Sequence, residues 1–91
     1  MRTIVQTSQF KTDLKKIAKS RKHNKNDFLA VLELLVNESP LPSKYRDHDL
    51  GEKWKHQREC HIKPDWLLIY RLENERLCLV RTGSHAELFV K

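Results

Sequence analysis

The chain has 91 residues, which is enough for one domain and too few for a large internal cavity beside a packed core. Its 18 lysines and arginines outnumber 12 aspartates and glutamates, and the net charge of +6 favours an anionic partner such as nucleic acid. The sequence has neither a long apolar run nor the apolar segment of a signal peptide, so we expect a cytoplasmic protein without a membrane partner.

The first half of the chain predicts a strand followed by two helices. Residues 3–6 are β-prone, and Ser8 stands in an N-cap position before apolar side chains that recur at helical spacing. A polar break at 21–24 separates this helix from a second amphipathic helix, which ends before Pro40. Two adjacent helices with so short a break predict an antiparallel hairpin.

The second half of the chain predicts strands after a polar loop at 43–55. Three runs have the composition of strands: 57–62, 66–72 and 77–82. The order β-α-α-β-β-β predicts one α+β domain over 1–91, with an antiparallel sheet and the helical hairpin packed on one face. The other face would stay open and partly polar, and a small protein can form a binding groove there.

Positive charge is concentrated between Lys11 and Lys25, where Asp13 is the single acidic residue among seven basic ones. Such a basic helix face and turn suit a phosphate backbone. Cys60 and Cys78 lie in predicted strands, far from the close spacing of zinc-binding cysteines. We therefore expect two buried thiols rather than a disulfide or a metal pair.

Three of the five histidines are candidates for chemistry, in loops or near strand ends: His48, His61 and His85. His23 and His56 lie among lysines, and we expect them to be solvated. Metal-free RNA cleavage needs a base for the ribose 2′-hydroxyl, an acid for the departing 5′-oxygen, and cations for the phosphoryl charge. Imidazole can serve as base or acid because its unperturbed pKa is about 6.5. Nearby side chains complete a predicted RNA-binding set: Arg58, Lys63, Trp66 and Arg81. Trp66 and Phe89 could stack on an unpaired base or pack in the core.

Several runs occur together at specific spacing across nearly the whole chain. They are YRDHDL at 45–50, WK at 54–55 followed by Arg58, HIKPDW at 61–66 and RTGSHAELF at 81–89. In these runs the chain resembles the YafQ-like branch of the RelE toxin superfamily.

This resemblance implies a compact α+β toxin of a type II toxin–antitoxin system that cuts mRNA in the ribosomal A site on the small subunit. It also implies a cognate antitoxin that wraps the toxin in a hetero-oligomer. The site residues implied by the resemblance are His48, His61, Asp65, His85 and Phe89. We assign His85 as general acid, His48 or His61 as general base, Asp65 as the group that orients a histidine, and Arg81 as a phosphate contact.

Two alternatives remain at this point. A non-catalytic toxin of the RelE/ParE fold, or a nucleic-acid-binding module, would need none of the histidines, and the presence of all three argues against it. A zinc site could use His48, His61 and His85, since three histidines can hold a catalytic zinc ion. The residues around them fit acid–base chemistry without a metal, so we expect no metal and no cofactor.

Overall fold

The structure is a computed structural model that describes residues 1–51, Trp54 and 56–89. Lys55, which belongs to one of the runs that carry the family resemblance, lies outside the described residues. Its elements in chain order are β1 Thr3–Gln6, α1 Ser8–Lys19, α2 Lys25–Val36, a 3-10 helix Ser43–Tyr45, β2 His48–Asp49, β3 Arg58–Lys63, β4 Trp66–Glu73, β5 Arg76–Gly83 and α3 His85–Phe89. Within these residues, no helix has the length and apolar character needed to cross a bilayer.

The sheet has five strands in the order β1-β5-β4-β3-β2. Strands β2 to β5 pair antiparallel, whereas β1 runs parallel to β5, with Thr3 opposite Arg76 and Gln6 opposite Leu79. The predicted α+β fold with a helical hairpin on one face is confirmed, but the prediction of a purely antiparallel sheet is wrong. An alternating pattern identifies a strand without giving its direction, and no tight turn links β1 to its distant partner.

Polar side chains set where both long helices begin. The Thr7 hydroxyl accepts a hydrogen bond from the Phe10 N–H at 2.9 Å, so Thr7 is the N-cap of α1, one residue before the predicted Ser8. The Asn24 side chain caps α2 in the same way, accepting from the Asn26 N–H at 2.8 Å. Each cap satisfies an N–H that has no partner inside its helix.

The main core lies between the helices and one face of the sheet. It includes Trp66, which is only 1% exposed and donates its Nε1–H to the Thr82 hydroxyl at 2.9 Å. The His23 ring meets the indole edge-on, with 4.8 Å between the ring centroids. Burial of this kind leaves no face for a nucleotide base, so the prediction that Trp66 stacks on RNA is wrong.

A smaller apolar cluster covers part of the opposite face of the sheet. Leu67 and Ile69 of β4 are buried there beneath Leu88 of α3, and Trp54 and Phe89 pack against them. The predicted open face is therefore partly covered, by α3 and by the side chains of Leu50 and Trp54. The part beside β2 and β3 keeps its polar side chains.

A carboxylate on α1 closes the free edge of β5. Because β1 ends opposite Leu79, the last residues of β5 have no strand on that side. Asp13 takes the place of a strand there: its oxygens accept two hydrogen bonds from Arg81, both at 3.0 Å, and one from the Thr82 N–H at 3.2 Å. Burial raises the pKa of the Asp13 carboxyl, but hydrogen bonds from Arg81, Gln9 and Thr82 outweigh it and hold that pKa below its usual range.

We expect Asp13→Asn to lower the free energy of unfolding by about 2 kcal/mol at neutral pH, because it removes the buried partner of Arg81. A carboxylate whose pKa is lowered by folding stabilises the protein fully above the unfolded pKa. That stabilisation is lost as the pH falls through the lower pKa that the carboxyl has in the folded protein. Urea denaturation should therefore show wild type and Asp13→Asn converging in acid. Glu75→Gln, on the exposed β4–β5 turn, is the control; an equal loss in both variants would contradict this role of Asp13.

Candidate active site

Two of the predicted histidines meet at a buried carboxylate on the partly open face. Glu59 lies directly opposite His48 in the β2–β3 pair, and His61 follows two residues later on β3, so the three side chains share one face. The Glu59 Oε1 atom lies 3.1 Å from Nε2 of His61 and 3.8 Å from Nε2 of His48. The centroids of the two imidazoles are 6.4 Å apart.

The backbone fixes the orientation of the His48 ring. Its Nδ1 atom lies 2.7 Å from the carbonyl oxygen of Arg46, the residue that ends the 3-10 helix in a left-handed conformation with φ of 49°. A carbonyl oxygen only accepts hydrogen bonds, so Nδ1 carries the proton in this contact. The neutral ring is then left with an unprotonated Nε2, which is the atom that faces Glu59.

The His61 ring is held at both nitrogens. Its Nε2 faces the Glu59 carboxylate, and its Nδ1 lies 3.3 Å from the carbonyl oxygen of Pro64 in the β3–β4 turn. Both neighbours are acceptors, so an imidazolium that donates from both nitrogens satisfies this environment. The side chain of His61 is 18% exposed, which leaves part of the ring open to a ligand.

The third histidine begins α3. Gly83 lies opposite Leu67, which lies opposite His61, so one row of residues crosses three strands. Strands are about 4.8 Å apart, which puts the Gly83 backbone about 10 Å from that of His61. His85 follows two residues later, and its ring centroid is 5.0 Å from that of Phe89.

Two carboxylates position the backbone of α3. Glu87 and Ser84 form a capping box, in which the Ser84 N–H donates to Glu87 at 2.8 Å and the Glu87 N–H donates to the Ser84 hydroxyl at 3.2 Å. A Cβ atom at Gly83 would lie 3.0 Å from an oxygen of the Glu87 carboxylate, so glycine at this position lets Glu87 come close to the backbone. Asp65 accepts from the His85 N–H at 3.1 Å. Asp65 therefore contacts the backbone of a predicted histidine rather than an imidazole ring.

The predicted RNA-binding cations are mostly engaged with carboxylates. Arg81 forms the ion pair with Asp13 described above, and Arg58 donates to Asp47 at 3.0 Å. The Tyr70 hydroxyl donates to the same Asp47 carboxylate; burial, followed by this contact, raises the pKa of Tyr70 above its usual range. These pairs argue against Arg58 and Arg81 as free phosphate contacts.

Lys63 remains accessible. Its side chain is 56% exposed, and its ammonium lies 3.6 Å from Asp27 on α2. As the cation nearest to His61 in sequence, it keeps its predicted place beside the candidate site.

The cysteines and the metal hypothesis stand apart from this site. Cys60 and Cys78 are buried free thiols, and burial raises the pKa of Cys60 to about 12. Among the described residues, no three histidine, cysteine, aspartate or glutamate side chains are arranged to hold a metal ion.

Sequence reasoning missed Glu59 and Asp13, although each left a signal. Glu59 alternates with His61 along β3, and alternation places both on one face. Asp13 is the single acidic residue of a basic helix, and such an exception indicates a specific partner.

Comparison with known proteins identifies a family that spans nearly the whole chain. Residues 2–90 match the family described as a bacterial toxin of type II toxin-antitoxin system, YafQ. An mRNA interferase toxin YafQ of Escherichia coli is 43% identical over 89 residues, which cover 97% of this chain and 96% of that protein.

Solved structures give the same result. The toxin in a crystal structure of the E. coli DinJ-YafQ complex is 42% identical with a TM-score of 0.86, covering 98% of this chain and 99% of that one. A metal-bound toxin from Helicobacter pylori is 43% identical with a TM-score of 0.90, covering 98% and 100% of the two chains. The chain therefore belongs to the YafQ family of bacterial toxins from type II toxin–antitoxin systems.

Proposed function

We propose that this chain is a cytoplasmic endoribonuclease toxin that cuts mRNA in the ribosomal A site and so inhibits translation. The name of its E. coli relative, an mRNA interferase, supports the substrate class. The observation that carries the proposal is the meeting of His48 and His61 at the Glu59 carboxylate, with His85 beginning α3 across the same face. Acid–base cleavage of a phosphodiester needs an acid and a base within reach of one phosphate, and imidazoles can serve as both.

In the proposed reaction, His48 is the general base. Its Nδ1–H is held by the Arg46 carbonyl, which leaves the Nε2 lone pair to take the proton of the ribose 2′-hydroxyl. The 2′-oxygen then attacks the adjacent phosphorus, and the bond from phosphorus to the 5′-oxygen breaks. DNA lacks this hydroxyl and would not be cut.

The other two histidines stabilise the charge on the phosphoryl group and protonate the departing 5′-oxygen. His61, held between Glu59 and Pro64, suits an imidazolium that stabilises the negative phosphoryl oxygens. His85 gives a proton to the departing 5′-oxygen, and the products are a 2′,3′-cyclic phosphate and a free 5′-hydroxyl. Asp65 positions His85 through its backbone N–H. Phe89 packs against the His85 ring and can fix its rotamer.

These proton transfers require no metal, and we propose a metal-independent reaction. The three side chains supply a base, a cation and an acid, which are the groups the chemistry needs. Because the similar H. pylori toxin is metal-bound, metal independence calls for a direct experiment with a chelator.

We further propose that a cognate antitoxin neutralises this chain in a hetero-oligomer, because the E. coli relative YafQ forms a toxin–antitoxin complex with DinJ. The exposed basic residues of α1 suit an acidic partner segment, and such charges raise association rates more than affinity.

The test is cleavage of mRNA on translating ribosomes, read by mapping new 5′ ends. We expect cuts confined to the codon in the A site for wild type. For His85→Asn we expect a loss of cleavage rate of about 10²- to 10⁴-fold, since a general acid contributes about that much.

His56→Asn is the matched control, because His56 is exposed, has φ of 65°, and asparagine tolerates that conformation. Cleavage by His85→Asn at the wild-type rate would contradict the assigned acid. A parallel assay with 1,10-phenanthroline removes transition metals and leaves ribosomal Mg²⁺ in place; loss of wild-type cleavage there would contradict metal independence.

We expect Glu59→Gln to slow cleavage about ten-fold with little change in KM, because the variant keeps the shape of the side chain and removes its charge. The amide cannot hold the His61 imidazolium as the carboxylate does, so the loss should fall on kcat. Glu75→Gln, on the β4–β5 turn, is the control. A Glu59→Gln enzyme whose cleavage rate matches that of Glu75→Gln would contradict this role of Glu59.

A further inference from the structure

A cleft of about 310 Å³ opens directly beside the candidate active site. It lies between the start of α2, the 3-10 helix and the end of β3, and it is lined by Asp27, Lys44, Tyr45, Arg46, His61 and Lys63, with Ile62 and Pro64 at its base. His61 lines this cleft and also contacts Glu59. A ligand in the cleft would thus touch one of the histidines proposed to act on the scissile phosphate.

The charge of the cleft is positive. Lys44, Arg46 and Lys63 contribute three cationic side chains, and Asp27 contributes the one carboxylate. Asp27 lies 3.6 Å from the Lys63 ammonium, and both side chains are partly exposed. A cleft lined by these side chains favours an anion that can bind several cations at once.

Two of these cations have no carboxylate partner in the part of the chain that the structure describes. The Lys44 ammonium lies 5.0 Å from the centre of the Tyr45 ring, and Arg46 forms no side-chain ion pair there. Arg58 and Arg81, by contrast, are engaged with Asp47 and Asp13. The cations available to a phosphate near His61 are therefore those of the cleft.

Arg46 also links the cleft to the base. Its carbonyl oxygen lies 2.7 Å from the His48 Nδ1 atom, and the exposed residue also lines the cleft. An anion bound by its guanidinium would sit on the same residue that orients His48.

We propose that this cleft binds the RNA phosphate next to the scissile one, with Arg46 and Lys44 as positioning residues that set the register of the strand. This inference rests on the proposed ribonuclease function. A phosphate held here would fix the adjacent ribose–phosphate junction against His48 and His61, because consecutive phosphates are joined through a single nucleotide. The guanidinium of Arg46 suits two oxygens of one phosphate.

The test measures binding of an RNA oligonucleotide methylated at its 2′-oxygens, which cannot be cut by the proposed reaction. Fluorescence anisotropy at several salt concentrations gives Kd and its salt dependence. We expect Arg46→Gln to weaken binding about ten-fold and to reduce the slope of log affinity against log salt by about 0.7, the loss of one single-strand phosphate contact.

Arg76→Gln is the matched control, because Arg76 lies at the opposite end of the sheet on β5 and is 62% exposed. Its affinity should stay within about two-fold of wild type. Asp27→Asn should act in the other direction and tighten binding about three-fold, since it removes the carboxylate from the cleft. Simple damage to the fold would not tighten binding.

Cleavage on ribosomes gives a second readout. Arg46→Gln should raise KM in proportion to its loss of RNA affinity. If wild type cuts mRNA while Arg46→Gln matches Arg76→Gln in binding and KM, the cleft proposal is wrong and the ribonuclease function stands. If Arg46→Gln weakens only antitoxin binding, the cleft serves a protein partner and the proposal is also wrong. Absence of cleavage by wild type would instead overturn the function itself.

Discussion

The Glu59 carboxylate is the constraint on which the candidate site depends. It is 4% exposed and lies between His48 of β2 and the buried Ile69 of β4. A buried carboxylate is unfavourable unless a donor or cation faces it, and the His61 Nε2 atom lies 3.1 Å from it, with the His48 ring beside them. The pairing of β2 with β3 thus brings two imidazoles from different strands to one buried carboxylate.

Separate contacts hold the two imidazoles of the sheet and the backbone at the start of α3. The Nδ1 atoms of His48 and His61 contact the backbone carbonyls of Arg46 and Pro64. The Asp65 carboxylate accepts a hydrogen bond from the N–H at the start of α3. None of these anchors depends on a long flexible side chain. Groups fixed in this manner need little reorganisation when charge develops in a transition state.

Elsewhere in the sheet, the same residue types have a structural role. The Asp13–Arg81 pair replaces a missing strand at the edge of β5, and the Asp47 carboxylate receives both Arg58 and Tyr70. Arginines that a nuclease could direct at phosphate are paired here with the carboxylates of Asp13 and Asp47. The accessible cations instead line the cleft between the 3-10 helix and the end of β3.

Periodicity in the sequence predicted the helical hairpin and the β3–β5 meander, because each depends on neighbours close in the chain. It could not predict the parallel pairing of β1 with β5, nor the contact of Asp13 with Arg81, because those partners are 68 or more residues apart. Alternation along β3 placed His61 on a shared face with Glu59, yet an isolated glutamate in a polar strand resembles a solvated residue. Its burial arises only when β2 and the rest of the sheet are in place.

The most direct measurement is NMR of the histidine side chains during titration with a 3′-nucleotide, whose phosphate resembles the scissile group. We expect the imidazole signals of His48, His61 and His85 to shift together with one shared Kd, while the exposed His56 does not respond. A titration in which these three histidines respond with unrelated affinities, or in which His56 responds as strongly as they do, would contradict a common phosphate site.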